Sequence, residues 1–158
     1  HPESVAAHSW RLALLAYFVA DEYPDADMNK VIRMCLIHDL GECFIGDIPS
    51  FKKTDADEET EEKQLFGWVD TLPAPYRAEM TALYREMIAL ESTEARIYKA
   101  LDNMEAVIQH NESALSSWEA NEYALNLTYG EDKAAFSPYL AALRRAVRDE
   151  TEKKIEQR

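Results

Sequence analysis

Apolar residues recur at helical spacing along almost the whole chain, and no stretch alternates convincingly at period two. That pattern predicts an all-α protein of about six helices. Ser4 opens a first helix running to about Glu22, with Val5, Leu12, Leu15 and Val19 as its buried stripe. Tyr23-Pro24-Asp25 stops it, because a residue preceding proline is pushed out of the helical region. Asp27 then caps a second helix through Val31, Met34, Cys35, Leu36 and Ile37, reaching His38-Asp39 and ending near Gly41. Gly46-Asp47-Ile48-Pro49-Ser50 reads as a turn. Residues 55–71 read as an exposed helix whose acidic start suits the positive end of a helix dipole, while Leu65, Phe66, Trp68 and Val69 keep helical spacing. Leu72-Pro73-Ala74-Pro75 breaks the chain before a helix over Tyr76 to Ala89. Ser92 or Thr93 caps a long helix through Ile97, Leu101, Met104, Val107 and Ile108. Trp118 to Gly130 is less regular, and Ser137-Pro138 opens a last helix whose charged final turns are expected to fray.

Composition narrows the function more than the fold. A chain of 158 residues, 47% of them hydrophobic, can bury a real core and most often makes one domain. The single-domain expectation covers residues 1–158, with a native N-terminal segment expected ahead of His1. Thirty acidic against seventeen basic residues leave a net charge of −13. Nucleic acid and anionic membranes carry the same sign, so bulk electrostatics argue against both as partners. A phosphate-bearing ligand would need a local cation, such as a metal ion. Cys35 and Cys43 are too few for a disulfide scaffold and point to a reducing compartment. The longest apolar run, Leu12 to Ala20, is too short to span a bilayer. With no signal peptide or lipidation motif, a soluble cytoplasmic protein is the expectation.

Against this background a few residues stand out as chemistry. His8 lies on the apolar-striped first helix, and His38 sits beside Asp39 at the end of the second. Imidazole nitrogen with carboxylate oxygen suits borderline divalent ions: Zn, Mn, Co, Ni or Fe. In an unbroken helix Glu42 would share a rim with His38 and Asp39, and Asp47 would follow on the turn. Asp102 sits between apolar positions of the long helix and needs a partner, whether arginine, backbone or metal. Each residue also has an ordinary reading: His8 as a core hydrogen-bonding group, His38-Asp39 as a helix end, Glu42 and Asp47 as solvated turn residues. His110 reads as structural, and Cys43 as a small buried side chain. Arg11, Lys52 and Lys53 are either phosphate contacts or solvated surface.

Four segments together change that balance. Glu3-Ser4-Val5-Ala6-Ala7-His8-Ser9-Trp10, Ile37-His38-Asp39-Leu40-Gly41-Glu42, Gly46-Asp47-Ile48-Pro49 and Lys99-Ala100-Leu101-Asp102 occur in that order. The chain resembles the HD-domain metal-dependent phosphohydrolases, above all the small single-domain branch that includes the 5′-deoxynucleotidases. The resemblance implies one divalent ion (Mn, Co, Zn, Ni, Fe or Mg) bound by His8, His38, Asp39 and Asp102. It also implies Glu42 and Asp47 as catalytic acids, a nucleoside 5′-monophosphate substrate and a homodimer. Tyr76 to Ala89 is one helix whose exposed residues could form that interface. Ala7 stands where the family often has a glutamate, and the family's upstream arginine would precede residue 1. His1 and His110 are the spare histidines, neither suitably spaced, so a mononuclear site is expected. Another phosphoester substrate (a phosphodiester or a nucleoside triphosphate) and a non-catalytic, metal-stapled helical module remain the alternatives.

Overall fold

In the computed structural model, which describes residues 3–45 and 53–157, the Ser4 side chain accepts a hydrogen bond from the Ala7 N–H and starts α1, Val5–Phe18. This helix is shorter than its sequence pattern, since Ala20–Glu22 tightens into a 3₁₀ turn before Tyr23. Its buried positions are Ser9, Leu12, Ala13 and Ala16, with Val5 and Leu15 only half covered. The two alanines let α2, Met28–Ile37, approach closely, with Val31, Met34 and Cys35 wholly buried against α1. Asp27 caps α2 by accepting from the Lys30 N–H.

The second helix does not continue to Gly41. It ends at Ile37, residues 38–41 form turns, and a separate short helix α3, Glu42–Ile45, begins at Glu42. The break has a visible cause, because two carbonyls near the end of α2 are taken by side chains. The Ile37 carbonyl accepts from the Tyr84 hydroxyl at 2.6 Å and the Cys35 carbonyl from His38 Nδ1 at 2.7 Å. Residues 46–52, which include Asp47 and the Gly46 to Ser50 turn, lie outside the described residues, as do His1 and Lys52. Thr54 and Asp57 form a reciprocal capping box at the start of α4, Asp55–Val69, which buries only Leu65 and Val69. After the proline break, α5 spans Ala74–Ala89 and α6 spans Thr93–Glu112, capped by Ser92.

The α6 helix is the axis of the molecule. Ile97, Ala100, Leu101, Met104 and Val107 are wholly buried on it, and α1, α2 and α5 pack against it. The stretch read as irregular contains α7, Glu122–Thr128, followed by α8, Glu131–Ala134, and the chain closes with α9, Pro138–Glu156. Arg144 of α9, 2% exposed, explains how so short a helix as α7 is held. Its guanidinium donates to the Asn126 and Tyr129 carbonyls at 3.0 and 2.9 Å, capping the end of α7. The last turns of α9 are held rather than frayed, since Thr151 is fully buried and donates to Asn111 Oδ1 of α6 at 2.9 Å. Among the described residues there are nine α-helical segments and no strand. Six are the long helices of the sequence pattern, and α3, α7 and α8 are short additions. No helix among them is long and apolar enough to cross a membrane.

Candidate metal centre

Three elements bring four side chains to one point: α1 supplies His8, the end of α2 supplies His38 and Asp39, and α6 supplies Asp102. His8 Nε2 lies 3.0 Å from His38 Nε2 and 2.9 Å from Asp102 Oδ1. His38 Nε2 lies 3.0 Å from Asp39 Oδ2 and 3.2 Å from Asp102 Oδ1. The widest of these gaps, His8 Nε2 to Asp39 Oδ2, is 3.8 Å. Bonds of about 2.1 Å to one ion put ligand atoms at right angles about 3 Å apart, which is the spacing seen.

The outer nitrogens show why both Nε2 atoms are suited to this. A carbonyl oxygen can only accept, so His38 Nδ1 carries a proton and donates it to Cys35. His8 Nδ1 makes its own contact with the carboxylate of Glu105, which likewise only accepts. With each Nδ1–H committed, Nε2 is the nitrogen left to face the centre, and it offers a lone pair once the ring is neutral. Two such lone pairs and two carboxylates facing one another need a positive charge between them, and the donor set fits a divalent ion.

The protons of the ion-free protein tell the same story. Burial works against charge on His8, but hydrogen bonds to Asp102 and Glu105 outweigh it and raise its pKa to about 10. Burial likewise opposes charge on His38, yet Asp102 and Asp39 lift it to about 9. Burial would raise the Asp102 carboxyl, whereas hydrogen bonds from His38 and His8 hold it well below the usual carboxylate range. Protons therefore stand where a cation would.

Two cavities open on this cluster. The larger, about 830 Å³, is lined by His8, Asp39, Glu42, Arg11, Gln109 and Trp118 among others. The smaller, about 300 Å³, lies on the other side of His38, Asp39 and Asp102, with Lys53, Lys99 and Tyr98 in its wall. Glu42 is thus at the mouth of the larger cavity beside Asp39, though on a new helix rather than the rim of α2. Gly41 lies close against α4: a Cβ there would come within 2.7 Å of the Glu61 side chain, which would have to shift. Glu61 in turn pairs with Lys53.

Other expectations change. Cys43 is exposed, not buried, while Cys35 is the buried thiol. Arg11 lines the larger cavity while paired with Glu3, Glu105 and Glu112. His110 is structural as expected, its Nδ1 bonded to Asn126 and its carbonyl to the Trp118 indole N–H. Glu105 and Tyr84 are site-supporting residues that the sequence reading passed over. Glu105 had a signal, for it lies three residues after Asp102 on the same helix face and carries a carboxylate into the apolar stripe.

Residues 1–144 match the family model described as HD domain. The chain belongs to the HD domain family. This HD domain superimposes on a solved structure titled predicted metal-dependent phosphohydrolase from Magnetospirillum magnetotacticum MS-1, with a TM-score of 0.78 and 31% identity over 98% of this chain and 80% of that one. It is 33% identical over 113 residues to the 5′-deoxynucleotidase HDDC2 of Homo sapiens, a match covering 70% of this chain and 54% of the relative. It is 31% identical over 110 residues to the dATP triphosphohydrolase of Cyanophage S-2L, covering 68% of this chain and 57% of that protein. The chain thus spans about half the length of the curated relatives it matches.

Proposed function

We propose that this HD domain holds one divalent ion between His8, His38, Asp39 and Asp102 and hydrolyses nucleoside 5′-monophosphates, deoxynucleotides above all, to nucleoside and phosphate. The observation that carries the reading is the meeting of both Nε2 atoms with Asp102 Oδ1 and Asp39 Oδ2, each Nδ1 being already committed. The likeness to a 5′-deoxynucleotidase supports the substrate class.

When bound, a divalent ion supplies Lewis-acid polarisation of a phosphoryl oxygen and a lowered pKa for water. Its positive charge also offsets the repulsion between phosphate and a protein of net charge −13. Glu42, on the wall of the larger cavity next to Asp39, orients the attacking water and accepts its proton. Asp47 protonates the departing 5′ oxygen or fixes the sugar, a role resting on the family resemblance alone. The larger cavity has the volume of a small-molecule site and receives the nucleoside.

The test is a panel of nucleoside mono- and triphosphates and a phosphodiester, assayed with Mn²⁺, Co²⁺ and Mg²⁺. We expect His38→Ala and Asp39→Ala to lose both bound metal and turnover while staying helical. Glu42→Gln should keep metal and lower kcat by about 10²-fold or more. Metal-dependent turnover that survives His38→Ala would sink the site assignment. A triphosphohydrolase is the second reading, favoured by the likeness to the cyanophage enzyme. Release of triphosphate from dATP, with dAMP left intact, would select it. No turnover by any substrate, with stability falling on chelation, would select a metal-stapled module. A homodimer belongs to the same reading through the resemblance, and sedimentation velocity tests it.

A further inference from the structure

Glu105 sits within the buried stripe of α6, between Met104 and Val107, and is 2% exposed. A carboxylate there is costly unless each oxygen is engaged. One oxygen meets His8 Nδ1; the other makes no hydrogen bond and is compensated by charge alone, with Arg11 Nε 3.2 Å away. Arg11 is itself gripped by Glu112 at 2.8 Å and Glu3 at 3.5 Å, so it serves as a counter-charge inside an acidic cluster rather than as a free phosphate contact. Asp102 and Glu105 lie one turn apart on one face of α6, and His8 is the ring between them. Asp102 touches its Nε2 and Glu105 its Nδ1, so a single rigid helix grips both ring nitrogens.

We propose that Glu105, backed by Arg11, is the positioning residue of the metal site, holding the His8 ring with its proton on Nδ1 and its Nε2 lone pair turned toward His38, Asp39 and Asp102. The inference rests on the metal-site reading above. Carboxylates behind ligating histidines fix ring orientation and raise ligand basicity, and their loss commonly weakens metal binding by about 10- to 100-fold. The two histidines are held by different devices. His38 uses a backbone carbonyl, that of Cys35, which no side-chain substitution removes. His8 depends on a side chain. The site should therefore be adjustable at Glu105 in a way it is not at Cys35.

The experiment measures Zn²⁺ affinity of the full chain by competition with a chelating dye, together with ¹H–¹⁵N spectra of the histidine rings in the Zn²⁺-loaded protein. Glu105→Met should weaken Zn²⁺ by about 10- to 100-fold and abolish the downfield His8 Nδ1–H resonance. Glu105→Gln, whose amide oxygen still accepts, should restore part of the affinity and show that resonance at an intermediate shift. A purely structural role for Glu105 would leave the resonance unmoved. Wild-type affinity and an unmoved resonance in Glu105→Met, beside a His38→Ala control that has lost tight binding, would overturn this inference alone. Tight Zn²⁺ binding by His38→Ala would overturn the metal-site reading and this inference with it. Should Glu105→Met fail to fold, Glu105→Gln decides, and a resonance identical to wild type overturns the proposal.

Discussion

His8 and His38 each do two jobs set by two nitrogens. In the ion-free protein the surrounding carboxylates raise the pKa of both rings, to about 10 for His8 and about 9 for His38. A metal needs the neutral ring, so each Nε2 proton must leave before the ion is bound. Metal binding should therefore release protons near pH 7, and affinity should fall as pH is lowered. Calorimetry in buffers of different ionisation enthalpy measures the release directly; binding without proton release would contradict this picture of the site. The same values predict the stability of the ion-free protein. Folded pKa values raised above the unfolded value of about 6.5 give a contribution complete below that pH and lost as pH rises through 9 to 10. Denaturation of the chelated protein should show stability declining across that window.

At the scale of elements, His38 and Asp39 depend on how α2 ends, while His8 and Asp102 are carried within α1 and α6. The α2 helix stops at Ile37 because Tyr84 of α5 takes the Ile37 carbonyl and the His38 ring takes that of Cys35. Tyr84→Phe leaves the Ile37 carbonyl with only the Leu40 N–H at 3.3 Å and should cost about 1 kcal/mol in urea unfolding. Because the same turn aims His38 and Asp39, metal affinity should fall with it. The α7–α8 corner is a second constrained end. Gly130 has φ of 76°, and a Cβ there would lie 2.5 Å from Asn103 Cβ on α6. Gly130→Ala meets both strain and a clash, so a loss of about 2 kcal/mol or more is expected from chemical denaturation. These junctions were the least legible part of the chain. Turn and short-helix boundaries depend on partners such as Tyr84, Arg144 and Asn103, which come from distant segments and leave no local pattern.

Across the whole molecule, α1, α2 and α6 are packed together by one core, and a shared cation would tie them at one point. The unfolded chain cannot assemble four ligands from residues 8, 38, 39 and 102, so an ion held by them would favour the folded state. At a free Mn²⁺ or Zn²⁺ concentration of about 100 times Kd, linkage adds about 2.7 kcal/mol. For a chain of this size that raises Tm by about 5–10 °C, and chelation should reverse it. A scan with and without chelator checks this, and His38→Ala should remove the response. The sequence by itself determined the long helices, through apolar residues at helical spacing and starts at Ser4, Asp27, Ser92 and Ser137. It also carried the identity of the histidines and carboxylates, because ligand chemistry is written in side-chain type. Tertiary structure alone decided which of those groups meet and what stands behind them. The convergence of His8, His38, Asp39 and Asp102, the capture of Arg11 by carboxylates and the burial of Glu105 arise from packing across as many as 97 positions of chain separation. Periodicity reports which face of a helix is apolar; it carries no information on which other face it meets.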